Sequence, residues 1–141
     1  MNDASQPLGF EVMMDCTYSQ AIDRVTGALK EEGFGVLTRI DAHTAFKEKL
    51  GLDFRPYSIL GACNPALAHR ALSTRPEVGL LLPCNVTVEE REGKAVVRII
   101  DPREMMKPGG FTADPALAAV GSEAYDRLRR VVDRLEAAVS S

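Results

Sequence analysis

YSILGACNPALAHRALSTRPEVGLLLPC, residues 57 to 84, decides how the rest of the chain is read. It opens as an apolar run of strand length. Cys63-Asn64-Pro65 then breaks it, because Asn is a preferred helix cap and Pro suits the first helical position. Leu67, Ala68, Ala71 and Leu72 recur at helical spacing, which predicts a short helix ending near Thr74, stopped by Pro76. Gly79 to Pro83 is apolar and too short for an independent element, so it is expected to be buried against the core or a second subunit. Cys84 opens a second run in which Cys84, Val86 and Val88 share one face and Asn85, Thr87 and Glu89 the other. The stretch therefore reads as two strands joined by a helical insertion.

Upstream, Phe10, Val12, Met14 and Cys16 alternate with Glu11, Met13 and Asp15, a period-two strand after a loose arm over residues 1 to 8. Thr17 or Ser19 caps a helix from about Tyr18 to Glu32, with Ala21, Ile22, Val25, Ala28 and Leu29 inward and Gly33 at its end. Phe34 to Ile40 is the next strand. Asp41 then caps a short helix, Ala42 to Leu50, with an apolar stripe of Ala42, Ala45, Phe46 and Leu50. Arg55 to Cys63 is the third strand, with Pro56 at its start or on an edge. Downstream, Cys84 to Glu90 and Ala95 to Asp101 form a hairpin about a Glu-Gly turn. Residues 103 to 111 read as a loop. Asp114-Pro115 then starts a long helix, about 115 to 139, with a seven-residue repeat through Leu117, Gly121, Ala124, Leu128, Val131, Leu135 and Ala138. Its length, roughly 37 Å at 1.5 Å per residue, lets the seam pack on the sheet, on a second copy, or both.

The order β-α-β-(α)-β-(α)-β-β-α predicts an α+β fold, a mainly antiparallel sheet of about five strands with helices packed on one face. The 141 residues fit one domain spanning residues 9 to 141. A net charge of -3 denies the chain the basic footprint of a nucleic-acid binder. No run is long and apolar enough for a membrane span, and MNDASQPLGF shows no secretory leader, so a cytoplasmic location is expected. Three cysteines then read as free thiols.

If the third and fourth strands are antiparallel neighbours, Cys63 and Cys84 share one sheet edge, beside Asn64, Pro65 and a helix N-terminus. Such an N-terminus lowers a thiol pKa and can hold an anion. Cys63, Asn64, Pro65 and Cys84 are therefore the candidate binding residues. Three uses compete. One is a ligand pocket. Another is redox or sulfur chemistry, with Cys63 reactive and Cys84 resolving. The third is a metal site that would need His69 to point back toward the two thiols. The plainer reading is that both cysteines are small buried hydrophobes and Asn64 only a cap. No cofactor motif is present: G-x-G-x-x-G, a Walker A loop, H-E-x-x-H and C-x-x-C are all missing. Glu89, Glu90 and Glu92 read as a solvated hairpin tip. One of Met105 and Met106 is expected in the core, and Ser58 has no evident base. Whether the protein is an enzyme stays open on these residues.

Phe34-Gly35-Val36, Phe46-Lys47-Glu48-Lys49-Leu50-Gly51, Tyr57-Ser58-Ile59-Leu60-Gly61-Ala62-Cys63-Asn64-Pro65 and Gly79-Leu80-Leu81-Leu82-Pro83-Cys84 together resemble the DUF302 family of bacterial and archaeal proteins. The similarity covers about Phe10 to Pro102, and the Cys-Asn-Pro and Leu-Pro-Cys pieces are its specific parts. The resemblance implies a compact α+β fold of the kind that forms dimers, with a sheet topology similar to TATA-binding-protein-like domains. It implies no activity and does not carry DNA binding over, since one fold hosts many functions. The expectation is a homodimer that binds a small ligand or a protein partner at the Cys63-Asn64-Pro65 turn and the Cys84 edge.

Overall fold

The computed structural model describes the backbone of residues 8–140 and the side chains of residues 8–137. The expected arm, apart from Leu8, lies outside those ranges, as does the side chain of Ala138 in the helical repeat. The elements are β1 (Gly9–Met14), α1 (Tyr18–Glu31), β2 (Gly35–Asp41), α2 (Ala42–Leu50), β3 (Tyr57–Cys63), α3 (Pro65–Thr74), β4 (Cys84–Arg91), β5 (Lys94–Ile100), α4 (Pro102–Met105) and α5 (Pro115–Ser140), with 3-10 turns at Pro76–Leu81 and Pro108–Ala113. The five strands form one antiparallel sheet in the order β1-β5-β4-β3-β2. No helix among the described residues is long and apolar enough to cross a membrane.

Strand parity builds the core. Phe10, Val12 and Met14 lie opposite Ile99, Val97 and Ala95, and Val86 and Val88 continue the same rows. All of them are buried on the face that receives the helices. Each of the larger side chains in these rows, fully buried, contributes roughly 1.5–3 kcal/mol. Helix α1 supplies Ala21, Ile22, Val25, Ala28 and Leu29. Its start is fixed by a reciprocal capping box: Thr17 Oγ1 accepts from the Gln20 N–H at 3.1 Å, and Gln20 Oε1 accepts from the Thr17 N–H at 3.0 Å. Gly33, at φ +85°, ends it in a left-handed turn. Helix α5 buries Leu117, Ala124, Leu128, Val131 and Leu135 against its own chain, contacting α1, α3, α4 and β1. The seven-residue seam is thus a core seam of this molecule.

Several sequence expectations change in three dimensions. Asp41 does not cap α2 with its side chain. Its carboxylate instead accepts from Ser58 Oγ at 2.6 Å and from Arg39 Nε at 2.8 Å, and Tyr18 Oη meets the same Ser58 hydroxyl. The Ser58 and Arg39 bonds hold the Asp41 carboxyl below its ordinary value. Ser58 has a carboxylate partner after all; its hydroxyl is fully buried, whereas Asp41 and Arg39 reach solvent, and the network joins α1 to β2 and β3. Glu89 is not a solvated tip residue. It is 3% exposed on the sheet face away from the core rows, and it accepts from Arg55 and from Arg98 at 2.7 Å. Residues 103–111 are an ordered short helix and 3-10 turn with Met106 and Phe111 buried. Within residues 79–83, Leu81 and Leu82 are half-buried but Leu80 is 88% exposed. Helix α2 buries no residue at all, although its apolar stripe is present.

Candidate functional site

Antiparallel pairing places the two cysteines. Ala62 lies opposite Cys84, and Cys63 lies opposite Gly35. The end of β3, the start of β4 and the start of β2 therefore meet at one corner of the sheet. Asn64 caps α3 there, its Oδ1 accepting from the Leu67 N–H at 3.1 Å, with Pro65 at the first helical position. Gly33 lies against the same asparagine; a Cβ at Gly33 would come within 2.9 Å of Asn64 Nδ2. Gly61 is equally constrained, since a Cβ there would meet Thr38 Oγ1 and Pro83.

Above this corner lies a cavity of about 390 Å³, a size within the usual range for small-molecule sites. Phe34, Leu37, Thr38, Ala62, Cys63, Asn64, Pro83 and Cys84 form its sheet side. Leu67, Ala68, Ala71 and Leu72 of α3 form one wall. Met105 and Met106, with Val120, Gly121 and Ala124 of α5, form another. Among the described residues, Thr38 and Asn64 are the polar side chains that reach it besides the thiols, and no carboxylate, histidine or cationic group lines it. Three of the four sequence candidates, Cys63, Asn64 and Cys84, line the cavity; Pro65 begins α3 at its edge and is exposed.

Cys84 is buried and its thiol is pushed up to about 11, first by burial and then by the neighbouring Cys63. No disulfide joins Cys16, Cys63 or Cys84. His69 is exposed and lines a separate surface hollow with Arg70 and Ser73, so it does not converge with the thiols. Among the described residues no group of three or more His, Cys, Asp or Glu side chains is arranged to hold a metal. His43, on the polar side of α2, is half-buried and its Nδ1 accepts from the Tyr57 N–H at 3.0 Å. Met106 is in the core, and Met105 is a half-buried wall of the cavity.

The walls from α4 and α5 escape a reading of residues 57 to 84 because they lie some twenty to forty positions beyond its end. One signal was present in the repeat of α5. Gly121 and Ala124 are small where Leu117, Leu128, Val131 and Leu135 are large, and two small seam residues in succession hollow out a helix face.

Fold and site together define an α+β domain, a helix-backed antiparallel sheet with an apolar recess at one corner. The chain belongs to the family described as domain of unknown function DUF302, whose profile matches residues 10–135. It is similar over nearly its whole length to the uncharacterized conserved protein DUF302 from Bacillus stearothermophilus, known from a crystal structure. That protein is 33% identical, the alignment covers 92% of this chain and 99% of that one, and the TM-score is 0.80. No match is found among curated proteins.

Proposed function

We propose that the protein is a non-enzymatic homodimer that binds a small, uncharged, apolar ligand in the cavity at the Cys63-Asn64-Pro65 turn and the Cys84 edge. The observation that carries this is the composition of the cavity wall: carbon and sulfur, with two neutral polar side chains and no charge. An ion would lose its hydration there without compensation, whereas an apolar molecule gains about 25 cal/mol for each Å² it removes from water. The alternative, redox or sulfur chemistry through Cys63 and Cys84, is the weaker reading. A resolving thiol pushed up to about 11 is protonated at neutral pH, and the thiolate is the nucleophile in exchange. Three unpaired thiols suit a reducing, cytoplasmic setting.

The test is titration with the neutral fluorophore N-phenyl-1-naphthylamine. The wild type is expected to bind it saturably with a blue shift. Ala68→Phe, which extends a half-buried wall residue into the recess, is expected to weaken binding at least tenfold while the protein stays folded by circular dichroism. Absent saturation, or a folded A68F protein that binds as the wild type does, would overturn the reading.

A further inference from the structure

Three features among the described residues lack partners, and they lie along one line. The first is α2, whose Phe46 and Leu50 project with Leu52 and Phe54 as an ordered apolar knob; Phe46 is 37% exposed, Leu50 is 64% exposed, and the Phe46 and Phe54 rings meet edge-on at 5.2 Å. The second is β2, an outer strand of the sheet, with Leu37 68% and Ile40 54% exposed. The third is the mouth of the corner cavity, where Leu37 and Leu72 are exposed wall residues and the exposed Leu80 follows the wall residue Gly79 in the chain. Together these side chains expose on the order of 800 Å², about what one partner contributes to a standard interface and more than an ordinary monomer's largest apolar patch.

Knob and mouth sit at opposite ends of the same strand. β2 begins at Gly35, opposite Cys63 at the cavity, and runs to Asp41, where α2 starts. Six residue steps separate those ends by roughly 20 Å. A two-fold axis through the middle of β2, near Thr38, sets two such edges antiparallel. The knob of each copy then falls at the mouth of the other. One symmetry operation covers all three features in both copies, and a two-fold contact of this kind closes without leading to a filament. The bulge at Leu37 interrupts the strand's ladder and turns that side chain outward, so the contact rests on side chains at its two ends more than on backbone pairing.

We infer that the partner's α2 closes the ligand cavity, so that each binding site is completed by a second copy of this chain. This rests on the homodimer and ligand reading above and adds the surface of the partner that covers the site and the means of closure.

The test uses two single variants at exposed positions, Leu50→Lys on the knob and Leu72→Glu on the α3 rim of the mouth, away from the two-fold axis, with sedimentation velocity as the readout. Each variant alone is expected to weaken dimerisation at least tenfold, since its homodimer puts a charge against an apolar surface twice. An equimolar mixture is expected to recover association to within about threefold of wild type. In that mixed dimer one contact pairs the lysine introduced on one knob with the glutamate introduced at the other copy's mouth, and the second contact is the native one. A monomeric wild type, a variant that dimerises as the wild type does, or a mixture that fails to recover would each overturn the inference. Knob-to-knob packing would show as loss in L50K alone. Dye release gives the closure arm: it is expected to quicken at least tenfold in L50K, and an unchanged rate refutes closure. Failure of the wild type to bind dye refutes the ligand reading and leaves the sedimentation result to decide the interface.

Discussion

Glu32 is the joint between the first and last helices, and replacing it is expected to loosen the turn that carries Phe34 into the cavity. It follows α1, and its side chain is 7% exposed. Arg130 Nε donates to one carboxylate oxygen at 2.7 Å. Arg134 donates twice to the other, at 3.2 and 3.1 Å. Arg127 reaches the Glu32 backbone carbonyl at 3.1 Å. Burial raises the carboxyl's pKa, and the two guanidiniums outweigh it, so the group sits below its ordinary value. Glu32→Gln keeps the shape and removes the charge. A hydrogen bond to a charged group is worth roughly 1.5–3 kcal/mol. Arg130 and Arg134 are about half exposed and rehydrate when the carboxylate is lost, so the expected cost is reduced to about 1–2 kcal/mol. That corresponds to a fall in Tm of roughly 3–8 °C for a chain of this size. The sign of the pH dependence follows from the depressed pKa. The folded state holds its proton less tightly than the unfolded chain, so the contribution is fully present above about pH 5 and is lost as pH falls through the folded value. Urea unfolding of both proteins from pH 7 down to pH 2.5 reads this directly, and the gap between them should narrow steadily below the ordinary carboxyl range. A gap at neutral pH within the roughly 0.5 kcal/mol of an ordinary surface change, or one equally large at pH 2.5, would refute this account of Glu32.

Two further outcomes are expected. Gly27 lies inside α1, and a methyl group placed there would meet nothing within 4 Å, so Gly27→Ala should stabilise by about 0.5–1 kcal/mol; unchanged or lower stability in urea unfolding would mean the position is constrained. Cys84, pushed up to about 11 by burial, should react with iodoacetamide at neutral pH far more slowly than free cysteine, and peptide mapping that finds it labelled at the free rate would contradict its placement.

The sequence was most legible where one element's periodicity alone fixes the answer. Phe10, Val12 and Met14 alternate because one sheet face is buried, and the 117-to-135 repeat is a helix seam wherever it packs. Asn64 with Pro65 is local chemistry that a few residues settle, and the same chemistry narrowed the cap of α1 to Thr17 or Ser19. Legibility failed where a residue's partner lies far along the chain. Asp41 reads as a cap because a cap needs only its neighbours, yet Ser58, across the β2–β3 pair, competes for the same carboxylate and wins. Glu89 reads as a tip residue by its position in the hairpin, but Arg98 of β5 and Arg55, just ahead of β3, enclose it.

The corner where Cys63 and Cys84 meet divides in the same way. The residues alone dictate that two strand ends flank a capped helix, because strand period, cap and proline are short-range properties of the chain. That the corner opens on an apolar cavity is settled by packing in three dimensions. A cavity is the space left between elements, and its volume depends on α5 presenting Gly121 and Ala124 at that height above the sheet. The bare stripe of α2 shows the other side of that rule. Periodicity says that a face is apolar, and three-dimensional packing says whether the chain's own residues cover it.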